Sequence, residues 1–210
     1  MTAKKTEDAV VREYNRLAPD YDRRWSFYIG ATIRETLGRI ELQPDDRVLD
    51  VGCGTGVLLE ALSNTIPGAK LAGVDPSEDM LALARERVDG TIVLKQSHAE
   101  ELPFPDEVFD VVISTNAFHY FRNAAGALEE MYRVLAPDGR IAITDWCDDY
   151  PACRLFDIFL RLFNRAHFRT YGQQQCGNLL EQAGFTVMQL DRYKINWFWG
   201  LMTAVARKRG

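Results

Sequence analysis

The chain has 210 residues, of which 47% are hydrophobic and 26% charged, and 25 basic against 30 acidic side chains give a net charge of −5. These values suit a single soluble globular domain that buries roughly 70% of its unfolded surface. The acidic balance excludes a non-specific nucleic-acid binder, whose surface would be basic. No uncharged apolar run approaches the ~20 residues of a membrane span, and the first ten residues lack the apolar core of a signal peptide. Cys53, Cys147, Cys153 and Cys176 form no C-x-x-C pair, so neither zinc nor a disulfide framework is expected, and reduced thiols fit a cytoplasmic protein.

From Ala9 to Tyr21 the apolar residues Val10, Val11, Tyr14, Leu17 and Ala18 recur at helical spacing until Pro19-Asp20 interrupts. A second helix is predicted from Tyr28 to Ile40, with Ile29, Ile33, Leu37 and Ile40 on one stripe. Pro44-Asp45-Asp46 then turns the chain into Arg47–Gly56, R-V-L-D-V-G-C-G-T-G. Val48, Leu49 and Val51 read as a buried strand, and V-L-L-E-A-L after the glycines reads as a helix. Glycine at alternate positions tolerates φ > 0 and lets the backbone approach a ligand. The helix start offers unpaired N–H groups.

The spacing separates two ligands. A dinucleotide fingerprint needs G-x-G-x-x-G, and its third glycine would fall where this chain has Val57. Here the pattern is G-x-G-x-G with Asp50 two residues ahead. A carboxylate there repels a pyrophosphate and attracts a cation or an amine. S-adenosylmethionine carries both, as a sulfonium and an α-ammonium.

Downstream, K-L-A-G-V-D makes a second strand ending at Asp75, some twenty residues past the glycine loop and placed to accept from ribose hydroxyls. Pro76 and Ser77 start a helix, Pro76 in its first turn. Met80 on that helix covers an adenine face or is plain core. Thr91 to Leu94 is the third strand and Val108 to Ser114 the central fourth. The loop T-N-A-F-H-Y-F, opening at Thr115, lies at a carboxyl end of the sheet, where open α/β folds bind ligands. Asn123 caps a helix closed by Pro137-Asp138-Gly139, and Arg140 to Thr144 is the fifth strand, leading to Asp145. Tyr150 to Tyr171 mixes phenylalanines with arginines. It reads as an amphipathic helix covering an apolar pocket, docking on its neighbours, or lying on a membrane surface. Gln173 to Ala183 is a helix stopped by Gly184, and a hairpin follows, with Tyr193 to Trp199 its turn and Leu201 to Ala206 the last strand.

D-V-G-C-G-T-G resembles the first motif of the class I S-adenosylmethionine-dependent methyltransferases, and the agreement runs from about Tyr14 to Asp145. The pattern is most similar to the small-molecule enzymes of the ubiquinone/menaquinone-biosynthesis type. The resemblance implies a doubly wound α/β fold: a seven-stranded, mostly parallel sheet with one antiparallel strand near the C-terminus and a helical lid. The expected layout is one domain, with a lid over 1–43, a cofactor core over 44–145, a helical cap over 146–172 and a last helix and hairpin over 173–210. It implies that Asp50, Gly52 and Gly54 hold the methionine end of the cofactor, and that Tyr21, in A-P-D-Y-D, belongs to the lid. S-H-A-E-E-L-P-F resembles the family's adenine-edge motif, with Ala99 and Glu100 matching and His98 in place of the usual Asp. A neutral imidazole accepts one hydrogen bond and a protonated one none. Cys53, Asp75, Pro76, Met80 and Thr115 complete the expected cofactor set. No metal site is expected.

T-N-A-F-H-Y-F is not the (D/N)-P-P-Y tetrapeptide of the nucleic-acid and glutamine amino-methylating relatives, which removes that substrate class. Phe156, Phe159 and Phe163, at three- and four-residue spacing, are expected to roof an apolar pocket with Trp25 and Tyr21 and so to suit a small acceptor, apolar or aromatic. Methyl transfer is an in-line displacement in which alignment contributes roughly 7–11 kcal/mol. His119 is the leading candidate base, with Asp145 and Tyr171 behind it. The competing readings are a nucleotide-dependent oxidoreductase and a catalytically silent S-adenosylmethionine-binding module. The expected assembly is a monomer or homodimer.

Overall fold

In the computed structural model the described residues are 22–23, 25–151, 153–155, 157–158, 169–197 and 199–209. Helix α1 covers 25–37. Strands and helices then alternate: β1 (Arg47–Val51), α2 (Val57–Thr65), β2 (Lys70–Asp75), α3 (Glu78–Arg87), β3 (Val93–Gln96), β4 (Phe109–Thr115), a 3-10 turn (Phe118–Tyr120), α4 (Ala124–Val134) and β5 (Leu135–Trp146). The chain closes with α5 (Gln173–Gln182), β6 (Phe185–Lys194) and β7 (Gly200–Lys208).

The strands form one sheet in the order β3-β2-β1-β4-β5-β7-β6. Neighbours from β3 to β5 pair in parallel, while β7 runs antiparallel to both β5 and β6, so it is the one reversed strand. Because side chains alternate along a strand, the central strands feed two cores. Val111 and Ile113 of β4 and Ala142 of β5 join Leu58, Leu59 and Leu62 of α2 and Ile29 and Ile33 of α1 on one face. Val112, Ile141 and Ile143 join Ala127, Leu128 and Met131 of α4 and Leu180 of α5 on the other. Two covered faces explain the near-continuous apolar strand sequences.

Several boundaries move from their sequence expectation, each for a local reason. Strand β3 starts at Val93 because Thr91 N–H donates to Asp89 Oδ1 and Ile92 N–H to the Asp89 carbonyl, a turn that withholds both residues from the ladder. Strand β5 starts at Leu135, so Pro137-Asp138-Gly139 lies inside its span. Leu135 pairs with Phe109 and Arg140 with Val111, a register shift, and Asp138 turns to φ 61°. Helix α1 begins at least three residues before Tyr28, where Trp25 packs edge-on against Tyr28 and Trp199. Ser77 is the N-cap of α3, accepting from Met80 N–H, so Pro76 precedes the helix and does not sit in its first turn. The last strand extends to Gly200–Lys208, and the hairpin turn shortens to 195–199. Phe156, Phe159 and Phe163, the centre of the expected amphipathic stretch, lie outside the described residues, as does Tyr21. No helix among the described residues is long and apolar enough to cross a membrane.

Candidate functional site

The glycine loop between β1 and α2 takes a left-handed turn at Gly52, Gly54 and Gly56 (φ 80°, 51° and 80°), and the three differ in what surrounds them. A Cβ on Gly52 would collide with Ala117, in the loop after β4, and one on Gly56 would press on Ala84 and Val88 of α3. A Cβ on Gly54 would meet nothing within 4 Å. The loop is therefore clamped on two sides and open on the third.

That open side is the wall of a cleft at the carboxyl edge of the sheet, enclosing about 1090 Å³ including its mouth. Every described member of the expected cofactor set lines it: Asp50, Gly52, Cys53, Gly54, Asp75, Pro76, Met80, His98, Ala99, Glu100 and Thr115. Residues that sequence reasoning did not single out line it too. Ile29 and Ile33 come from α1, Thr55 from the glycine loop, Val57 and Leu58 from the start of α2, and Asn116, Ala117, Tyr120, Phe121 and Arg122 from the loop after β4. The isoleucines were visible as a helical stripe, but periodicity does not separate a cleft wall from a core.

The two acids at the strand ends differ in their partners. Asp75 Oδ2 accepts from Gly54 N–H and Oδ1 from Ser77 N–H, both at 2.9 Å. Burial pushes its carboxyl up to about 6, against the pull of those two N–H groups and of His98. Asp50 is 1% exposed, and its Oδ1 has no hydrogen-bond partner. Burial, and then the charge of Asp75, push this carboxyl up to about 8. Cys53 beside them is buried, and burial holds its thiol well above the ordinary value, so it is a neutral packing group.

Around the rim, Glu100 Oε1 accepts from Asn123 N–H, tying the β3 loop to the N-cap of α4, where Asn123 Oδ1 accepts from Gly126 N–H. Asp22 accepts from Thr55 Oγ1 at 2.7 Å and from Arg87 at 2.5 Å. Arg87 also donates to the Thr55 carbonyl, so Asp22, the glycine loop and α3 share one hydrogen-bonded junction.

The three expected catalytic residues sit together behind the cleft, and none of them lines it. His119 is 3% exposed; its backbone N–H donates to Asp145 Oδ2 at 2.9 Å, and its Nδ1 lies 2.7 Å from Asp145 Oδ1. The ring stacks on Trp146 at 4.9 Å. Tyr171 packs on Phe118 at 5.0 Å, on the core side of the same loop. Chain order placed His119 beside the cleft, but the 3-10 turn rotates it inward and leaves Tyr120 and Phe121 on the wall.

Comparison with known proteins agrees with this architecture. A family model described as a methyltransferase domain matches residues 49–143. The chain is 33% identical over 181 residues to a demethylmenaquinone methyltransferase of Symbiobacterium thermophilum, covering 79% of this chain and 68% of the relative. It is 30% identical to the demethylmenaquinone methyltransferase of Lactiplantibacillus plantarum over 86% of this chain and 89% of the relative. Other relatives, described as demethylmenaquinone methyltransferases or as ubiquinone/menaquinone biosynthesis C-methyltransferases, are matched over 52–64% of their length. The fold is shared with the methyltransferase solved in complex with the Haloferax volcanii Trm112 methyltransferase activator. The TM-score is 0.83 at 22% identity, over 94% of this chain and 98% of that one.

Proposed function

This chain belongs to the class I S-adenosylmethionine-dependent methyltransferases of the ubiquinone/menaquinone type, and from that premise we propose that the enzyme methylates a small aromatic acceptor of the quinol class. One observation carries the reading: the same cleft is lined by buried acids at the ends of β1 and β2 and by the apolar and aromatic side chains of Ile29, Ile33, Tyr120 and Phe121. An ionic end and an aromatic-lined end match a charged methyl donor beside a flat hydrophobic acceptor. The relatives' names, demethylmenaquinone methyltransferases, point to the same class and count against a silent binding module.

The residues fit the donor. Asp50 Oδ1, buried and without a partner, suits an ammonium, which would satisfy it and draw the carboxyl into its ionised form. The open side of Gly54 leaves room for the donor's backbone-contacting end. Each Asp75 oxygen already takes one N–H and keeps a lone pair, the arrangement needed for two vicinal ribose hydroxyls. Met80, His98 and Ala99 would flank the adenine. When bound, S-adenosylmethionine supplies an electrophilic methyl group on a sulfonium. The protein's share is alignment and exclusion of water, and the acceptor sheds one proton to solvent in exchange for the methyl group, as the sulfonium becomes a neutral thioether. His119 and Asp145 act in this reading as positioning residues: their paired hydrogen bonds set the loop that carries Tyr120 and Phe121, and Tyr171 buttresses it from behind. The expected division into lid, cofactor core, cap and hairpin is kept as part of the proposal.

The test is turnover with isotopically labelled methyl donor over reduced naphthoquinones, phenols, amines and fatty acids, with products read by mass spectrometry. Label entering a reduced naphthoquinone is the expected result. Label confined to amines or fatty acids would overturn the acceptor assignment.

A further inference from the structure

Asn116 follows β4 directly and holds φ 56°, a left-handed conformation outside glycine. Its backbone N–H donates to the Thr144 carbonyl at 2.9 Å, which fixes it to the neighbouring strand. Its side chain lines the cleft, and its Oδ1 is buried without a hydrogen-bond partner. Asparagine does tolerate left-handed backbone, so a purely conformational role has to be weighed. Glycine would serve that role better and bury no carboxamide. A buried carboxamide oxygen without a donor forfeits its hydration with nothing in return, and such groups, like sparsely populated backbone, gather where a ligand completes them.

Position says which ligand. In the sheet order β3-β2-β1-β4, the two acids of the donor end stand on β2 and β1, and Asn116 stands on the far side of β1 from Asp75. Its companions there are Tyr120 and Phe121. We infer that the Asn116 carboxamide hydrogen-bonds a ring hydroxyl of the acceptor and so orients the ring beside the transferable methyl. The assignment rests on the quinol reading above and adds to it the residue that reads the acceptor's oxygen. The loop is built to hold such a group still, because Asp145 pins it through both the backbone and the ring of His119.

Asn116→Gly separates the two roles, since it keeps the backbone and deletes the amide. The probes are S-adenosylhomocysteine for the donor end and 1,4-dihydroxynaphthalene for the acceptor, the latter titrated calorimetrically into the S-adenosylhomocysteine-loaded protein without oxygen. The variant should bind S-adenosylhomocysteine as the parent does, melt no lower, and lose about tenfold in affinity for the diol, the scale of one net hydrogen bond. 1,4-Dimethoxynaphthalene, which has no hydroxyl to donate, should bind parent and variant equally. Equal affinity of both proteins for the diol would overturn the assignment and leave Asn116 a conformational residue. Weakened S-adenosylhomocysteine binding would overturn it in favour of a donor contact. If the parent binds no diol at all, the quinol reading itself fails and this assignment falls with it.

Discussion

Two aspartates at the carboxyl edge of the sheet, Asp50 on β1 and Asp145 on β5, are equally buried at 1% exposure and differently satisfied. Asp145 accepts from the His119 backbone, from Trp146 N–H and at the His119 ring, with all three distances between 2.7 and 2.9 Å. Asp50 keeps an oxygen without a partner and is held toward its neutral form. Burial is thus no guide to role. A buried acid whose lone pairs are taken by the chain needs no ligand, whereas one left wanting fits the cation that the proposed function brings to Asp50.

The contrast can be broken most forcefully at Asp145. Asp145→Ala leaves several buried donors without an acceptor and should cost about 3–5 kcal/mol of unfolding free energy, read by urea denaturation, with donor affinity per folded molecule little changed. A cost under about 1 kcal/mol would mean that the frame does not depend on it.

Asp50→Asn should do the reverse. S-adenosylmethionine affinity should fall about 100-fold, equivalent to about 2.7 kcal/mol, while the ligand-free protein loses no stability at neutral pH. Calorimetry beside a denaturation curve checks both halves, and unchanged affinity would remove Asp50 from the donor site.

The smallest effect sharpens the comparison through pH. The folded-state value of Asp50 is raised, to about 8, so its neutral form is the one that favours the fold. Its contribution to stability is complete below the ordinary carboxylate value of 3.8 and is lost as pH climbs toward 8. Binding an ammonium needs the ionised form, so donor affinity should rise about tenfold per pH unit on approaching that value. In Asp50→Asn the rise between about pH 6 and 8 should vanish, leaving a dependence that ends with Asp75 near pH 6. A parallel pH profile in parent and variant would contradict the assignment.

What could be read in advance follows a physical divide. The glycine loop was legible because its constraint is local: three left-handed turns need glycine whatever surrounds them, and Asp50 is covalently tied to the strand that delivers it. The wall facing it was less legible. His119 and Tyr120 are neighbours in the chain, yet the 3-10 turn sends one into the frame and the other to the cleft. Asn116 passed unnoticed because neither its positive φ nor its unsatisfied amide has a mark in the residue pattern. The early start of β5 was hidden for a like reason: Pro137-Asp138-Gly139 has the chemistry of a turn, and only pairing with β4 across a register shift draws it into a strand.

By itself, then, the amino-acid sequence determined the alternation of strand and helix, the single reversed strand and the nature of the donor, all carried by periodicity and by one short motif. The tertiary structure alone decided which polar groups are satisfied. Hydrogen bonds such as that of His119 to Asp145, 26 residues away, and of Thr36 to Thr144, 108 residues away, depend on where folding brings distant atoms together. Desolvation depends on what covers them. Neither is a property of any window of the chain, and together they separate the acid whose oxygens the chain satisfies from the acid whose oxygen it leaves without a partner.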